Sequence, residues 1–372
     1  MPLEEQEAAV ARALERAAGQ EAQAHLGRMR QALEGCFDAI GSSERYRNMY
    51  FQPLNEIYAL PHYFILAGRE PEQIVKHAGG ARRRRPSHKS GGGGRMRAFE
   101  YFAPGTVGEA AKFLRENEGK AVVLNGGTDV VIQLRDRLIN PAYVVDIKRI
   151  PGLNELRFSK EEGLHIGACV NMNRLGGDEN VRTYYPFLAE AALSVGSKQV
   201  RNRATCAGNL INASPLADTS TPLLCLDAVL EVEGPDGKRE IPINEFFVFV
   251  RKTTLQKDEI VTGIRVPYYE GVQGIFTKVS RRNKVDLSTV CSTVMKHEGK
   301  YRAAFGSVAP TPRRLPQTEA CLNEGPLDEA RIDRAVELAL SEVSPIDDVR
   351  ASKQYRLDVV AMALRRSLES LG

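Results

Sequence analysis

Val195–Asp227 reads VGSKQVRNRATCAGNLINASPLADTSTPLLCLD. A basic, loop-like run carrying Lys198, Arg201 and Arg203 leads into a tight turn of small residues, Thr205-Cys206-Ala207-Gly208-Asn209. An Asn/Ser/Pro/Asp segment and then an apolar run follow. Small residues let a backbone approach a ligand closely, and its free N–H groups can then bind phosphate oxygens. A second Gly-rich turn precedes this stretch, Leu124-Asn125-Gly126-Gly127-Thr128-Asp129. It lies between an apolar strand, Ala121–Leu124, and a helix-like run, Val130–Leu138. Two such turns in one chain predict a dinucleotide held at two points.

Neither turn is a common nucleotide motif. The chain has no G-x-G-x-x-G between strand and helix and no phosphate-loop G-K-[ST]. Taken singly, a Gly-Gly between strand and helix is ordinary loop chemistry. The pair, in this order and spacing, resembles the FAD-binding subunit of the molybdenum hydroxylases, the group that contains xanthine dehydrogenase and carbon monoxide dehydrogenase. In that family the first turn reads [AG]-G-[GN]-T-[DE]. The second reads T-x-G-G-N and is followed by A-S-P-x-x-D.

Later segments extend the resemblance. Asp258–Val261 followed by Ile264–Pro267 is similar to the family's strand into the flavin site. Phe276–Arg282 with Asp286 is similar to F-x-K-x-S-R-R-x-x-D. Ala304–Pro312 resembles a strand and turn of the family's C-terminal domain, and Pro345–Arg356 the approach to its last helix. The resemblance runs from Met96 to about Leu371. It departs at Ala207, which replaces the first glycine of the second turn, and at Cys206, an often aliphatic position. A Cβ at position 207 restricts positive φ.

The resemblance implies an α+β fold. It has a two-lobed FAD-binding domain of the vanillyl-alcohol-oxidase/PCMH type and a C-terminal sheet-and-helix flavoprotein domain. It also implies roles for residues. Val123, Leu124, Asn125, Gly126, Gly127, Thr128, Asp129 and Val130 would wrap the pyrophosphate, with the dipole of the following helix in support. Thr205, Gly208 and Asn209 would form the second clamp. Asp218 would accept from an FAD hydroxyl or amino group; a helix-capping aspartate would read the same. Val261 would be an apolar contact near flavin or adenine, and a core valine is identical in sequence. Lys278, sharing a strand face with Phe276 and Ser280, would stabilise negative charge at the flavin's pyrimidine edge. A solvent-edge lysine is the plainer alternative. Noncovalent FAD is expected, since no recognised attachment motif places His or Cys in either turn; Cys206 is the nearest candidate.

Composition bounds the rest. At 372 residues the chain can hold two or three domains. No apolar run approaches the roughly 20 residues that span a bilayer, and MPLEEQEAAVARALERAAGQ has no signal-peptide core. A cytoplasmic protein with no membrane partner is expected. Six cysteines, at 36, 169, 206, 225, 291 and 321, include no C-x-x-C. Thiolate clusters for zinc or iron–sulfur need closer spacing, so no metal site is expected. The net charge of +4 lies mostly in residues 1–95, which carry +3, largely through Arg82–Arg85. With no aromatic interleaving and no recognition helix, that run is expected to be solvated, and no nucleic acid is expected as partner.

Along the chain, residues 1–78 read as helical with unknown role, and 79–95, GGARRRRPSHKSGGGGR, as a flexible linker. Residues 96–272 read as the FAD-binding domain, in lobes 96–150 and 151–272, and 273–372 as the C-terminal domain. In the latter, three strand-like runs followed by helices predict a sheet with helices on one face. Met96, at the start of the family region, is a candidate for the true start of the protein.

The six histidines are scattered, without H-x-x-x-H, and no nucleophile–base pair is evident. No catalytic residue is therefore expected, only electron transfer through the cofactor. The resemblance implies an iron–sulfur small subunit carrying [2Fe–2S] clusters, a large subunit carrying the molybdenum cofactor, and delivery of electrons to NAD+ or another acceptor. Two other readings remain: a stand-alone flavin-dependent NAD(P)H reductase of related fold, and a non-catalytic assembly module.

Overall fold

The computed structural model describes residues 96–372, and the readings of 1–78 and 79–95 lie outside the described residues. The first lobe contains β1 (Glu100–Phe102), α1 (Val107–Glu116), β2 (Ala121–Leu124), α2 (Val130–Arg135) and β3 (Tyr143–Asp146). Thr106 caps the start of α1, its hydroxyl accepting from the Glu109 N–H at 3.1 Å. Gly119, at φ +73°, turns the chain back into β2. The three strands form a parallel sheet in the order β1-β3-β2. Ala110 and Leu114 of α1 pack on Val145 of β3 and, beyond it, on Leu153 and Ile260. The two lobes thus share apolar core.

The second lobe opens with β4 (Leu156–Ser159) and β5 (Gly163–Gly167). Six short helices follow: α3 (Met172–Gly177), α4 (Glu179–Tyr184), α5 (Pro186–Ser194), α6 (Lys198–Arg201), α7 (Cys206–Ile211) and α8 (Ser220–Cys225). Then come β6 (Val229–Gly234), β7 (Gly237–Pro242), α9 (Ile243–Phe246), β8 (Phe247–Phe249), β9 (Lys252–Thr253) and β10 (Ile260–Val266). The main sheet is antiparallel, ordered β4-β5-β10-β6-β7, while β8 and β9 pair separately.

The C-terminal region builds a second antiparallel sheet, β11 (Gln273–Val279), β12 (Val290–His297), β13 (Lys300–Gly306) and β14 (Arg313–Arg314), in sequence order. It ends with α10 (Pro316–Leu322), α11 (Glu329–Glu342) and α12 (Lys353–Leu371). The buried Glu342 carboxylate, at the end of α11, accepts from the N–H groups of Gln317 and Thr318 at the start of α10. The domain's own helices lie on one face, as expected, and the opposite face is covered as well. Helices α10–α12 cover one face, and α5 and α8 of the second lobe cover the other. Six of the eight residues of β12 are consequently buried, the pattern of a strand covered on both sides. Contact is close: a Cβ on Gly274 of β11 would sit 2.5 Å from the Phe187 ring of α5. Thr221 of α8 hydrogen-bonds Thr293 of β12 at 3.0 Å. Phe276, Cys291, Met295 and Ala304 belong to the same apolar cluster as the second-lobe core.

Candidate flavin site

The first glycine turn leaves the sheet at the end of β2. Gly127 has φ +78°, a conformation that favours glycine. Gly126 is glycine for a different reason: a Cβ there would lie 2.2 Å from the Arg203 carbonyl oxygen. The two segments singled out in the sequence therefore meet backbone to backbone. The Asn125 amide donates to the Ala168 carbonyl at 2.7 Å, while its own Oδ1 is buried without a partner. Among the described residues, no backbone N–H from Asn125 to Asp129 donates to another group of the chain. A run of N–H groups unpaired within the chain, at a two-glycine turn, is chemically suited to receive an anion. Because α2 is only six residues long, its dipole would add little to what the unpaired N–H groups offer. Asp129 is turned to Arg251, 3.5 Å away.

The second segment corrects the sequence reading of a tight turn. Thr205 is a helix N-cap, its hydroxyl accepting from the Gly208 N–H at 3.0 Å, and Cys206–Ile211 form α7. Ala207 needs no positive φ; it is helical and fully buried, so its Cβ fits where glycine was expected. Cys206 faces the core, and burial pushes its thiol up to about 12. Asn209 is oriented by Thr219, whose hydroxyl donates to the Asn209 Oδ1 at 2.7 Å, leaving the amide N–H groups free to donate. Arg201, part of the basic run, is turned inward and holds the carbonyls of Val195 and Gly196, each at 3.1 Å.

Asp218 and Lys278 were read separately and prove to be partners. The Lys278 ammonium donates to the Asp218 carboxylate at 2.7 Å and to the Ser194 carbonyl at 3.0 Å. Their side chains are 13% and 7% exposed, which excludes a solvent-edge lysine. Burial pushes the Asp218 carboxyl above the ordinary carboxylate range, against the pull of the Lys278 ammonium and the Ser288 hydroxyl. Ser288 donates to the second Asp218 oxygen. Sequence reasoning missed Ser288, whose position in a loop between strands gives no signal. It is held in turn by the C-terminal helix: Ser307 donates to the Ser288 carbonyl, and Arg356 of α12 to the carbonyls of Thr289 and Ser307. That explains the buried arginine in the Tyr355-Arg356 pair.

Val261 lies in the main apolar cluster, 1% exposed, so its side chain offers no surface to a ring system. Its backbone stands at a bulge, where the pairing of β10 with β6 shifts between Val261 and Gly263. Among the described residues no three His, Cys, Asp or Glu side chains are grouped to hold a metal ion. None of the described helices is long and apolar enough to cross a membrane.

These features describe an α+β protein with a two-glycine turn of unpaired backbone N–H groups and a buried lysine–aspartate pair between two sheets. Residues 97–269 match the family described as the FAD binding domain in molybdopterin dehydrogenase, and 275–371 the CO dehydrogenase flavoprotein C-terminal domain. A xanthine dehydrogenase FAD-binding subunit of Escherichia coli O157:H7 is 33% identical over 267 residues, covering 70% of this chain and 91% of the relative. The carbon monoxide dehydrogenase medium chain of Hydrogenophaga pseudoflava is 31% identical over 279 residues, covering 73% and 96%. Among solved structures, carbon monoxide dehydrogenase from Hydrogenophaga pseudoflava superposes with a TM-score of 0.71 at 31% identity, covering 74% of this chain and 97% of that one. Quinoline 2-oxidoreductase from Pseudomonas putida 86 gives 0.69 at 25% identity, covering 74% and 97%. The chain belongs to the FAD-binding, medium-chain family of the molybdenum hydroxylases, a flavoprotein family of oxidoreductases.

Proposed function

We propose that this chain is the FAD-carrying electron-transfer subunit of a cytoplasmic molybdenum-dependent hydroxylase or dehydrogenase. In that assembly electrons leave [2Fe–2S] clusters of a small partner subunit and pass through FAD to NAD+ or another acceptor. A large partner subunit with the molybdenum cofactor acts on substrate. The observation that carries the reading is the row of unpaired N–H groups at Asn125–Asp129, pressed against the Arg203 backbone. Bound FAD would supply two-electron redox chemistry that no side chain of the site possesses.

The chain's own residues bind and orient. The backbone from Val123 to Val130 receives the pyrophosphate. Thr205 fixes the Gly208 N–H, and Asn209, aligned by Thr219, directs its amide donors outward. Asp218 and Lys278 place a paired charge at the seam between the second lobe and the C-terminal sheet, where a developing negative charge would meet the ammonium. The contact at Val261 falls to its backbone. Partner subunits are supported by the relatives, named as a FAD-binding subunit and as a medium chain.

Purification tests the reading directly. The protein should carry one flavin per chain, released intact as FAD by acid precipitation, and should elute with iron and molybdenum when produced with its native neighbours. Absence of flavin would leave an assembly module, and NAD(P)H oxidation by the isolated chain with its own substrate would make it a self-sufficient reductase.

A further inference from the structure

The phosphate cradle at Asn125–Asp129 lacks an obvious cation. Of the basic run beside it, Arg201 is committed to the carbonyls of Val195 and Gly196, and the Arg203 side chain makes no hydrogen bond or ion pair among the described residues, so nothing orients it. A cation does reach the turn from elsewhere. Arg251 follows β8 at the tip of the β8–β9 hairpin, and its Nη1 lies 3.5 Å from the Asp129 carboxylate and hydrogen-bonds the Asn212 amide oxygen. Asp129 closes the first turn and Asn212 ends α7. One guanidinium thereby spans both segments assigned to the dinucleotide.

The hairpin is held there at a conformational cost. The Arg251 N–H donates to the Ala213 carbonyl at 2.9 Å, and both residues are left-handed, at φ +60° and +44°. Two adjoining non-glycine residues in that region persist only where their surroundings over-determine them, as happens at ligand clamps. Only Nη1 is engaged. Nε and Nη2 make no bond among the described residues, on a side chain 53% exposed. By pairing with Asp129, Arg251 also cancels the one negative charge within the turn that would repel a phosphate.

We infer that Arg251 is a cofactor-binding residue, its free guanidinium edge pairing with the pyrophosphate of the bound dinucleotide while Nη1 ties the two segments together. The inference rests on the assignment of the first turn as a phosphate site. Guanidinium suits the role because it is planar and always charged, and can bond an anion on one edge while tethered by the other.

The test uses the full-length protein stripped of flavin and titrated with FAD, comparing wild type with Arg251→Gln and Arg251→Lys. Arg251→Gln should weaken FAD binding by on the order of 10- to 100-fold, the value of a charge-assisted bond, and should flatten the salt dependence of binding. The melting temperature of its flavin-free form should stay near that of wild type. Arg251→Lys, which keeps the charge but not the two-edged geometry, should bind FAD with an affinity between those of wild type and Arg251→Gln. Unchanged affinity in Arg251→Gln overturns the inference. So does an affinity loss accompanied by an equal loss in Arg251→Lys and a lower flavin-free melting temperature, the signature of a structural tether alone. A wild-type protein that binds no FAD would overturn the phosphate-site assignment instead.

Discussion

Replacing Lys278 by methionine keeps most of the unbranched side chain and removes its charged end. The Lys278 ammonium is 2.7 Å from the Asp218 carboxylate, with side-chain exposures of 13% and 7%, so the pair is buried. Losing it leaves a buried carboxylate supported only by uncharged hydroxyls, chiefly that of Ser288. Breaking a buried pair from one side costs about 3–5 kcal/mol. The stranded carboxyl can escape part of that cost by taking up a proton. Burial already pushes the Asp218 pKa upward, and loss of Lys278 removes the strongest opposing pull. A group whose folded pKa is raised stabilises fully below its unfolded pKa and loses that stability as pH rises through the folded value. Lys278→Met should therefore be nearly as stable as wild type at acid pH and fall behind only once the pH passes the already raised Asp218 pKa of wild type. The deficit should grow by about 1.4 kcal/mol per pH unit until the folded pKa is passed. Denaturant titrations across pH, read by circular dichroism, measure it. Adding Asp218→Asn should restore most of the loss and abolish its pH dependence. A deficit independent of pH, or a double variant as unstable as the single one, would refute the reasoning.

Two further outcomes follow from the backbone contacts and the chain's layout. Gly126→Ala places a Cβ 2.2 Å from the Arg203 oxygen and 3.2 Å from the Ala204 Cα, so the two segments must part; flavin content, read as the 450 to 280 nm absorbance ratio, should fall well below that of wild type. Deleting residues 1–95 should preserve flavin content and melting temperature, because the family region from residue 97 has its own core; loss of both would show that the N-terminal segment is integral.

Where local chemistry alone decides an element, the sequence was a good guide. Ala121–Leu124, Val130 as a helix start, and strands followed by helices in the C-terminal domain appear where the sequence puts them. The failures share a cause. The helices α3, α4 and α7 are six residues each, too short for a periodic signal, and their positions are set by tertiary packing. Thr205–Asn209 shows this well. Small residues read as a turn, yet the same residues allow a helix to press into the core, where Cys206, Ala207 and Leu210 are fully buried. The helices on the second face of the C-terminal sheet were illegible for another reason: they come from residues far earlier in the chain (Phe187 against Gly274, 87 positions apart), and no local pattern reports which distant surface covers a strand.

The same distinction runs through the site. The glycine positions were legible because each answers to a backbone demand, left-handed φ at Gly127 and clearance for the Arg203 carbonyl at Gly126. The charges were not, since a carboxylate and an ammonium 60 positions apart carry no mark of their pairing. That pairing changes what Lys278 can do. Two of its three N–H donors are committed, to Asp218 and to Ser194, so at most one remains for a cofactor. Its strength depends on Asp218, hence on Ser288, whose carbonyl is anchored by Ser307, and on Arg356 of the last helix. The C-terminal domain therefore contributes to this buried pair in two ways: it supplies the lysine from β11, and through α12 it supports the loop of the serine that fixes the lysine's counter-ion.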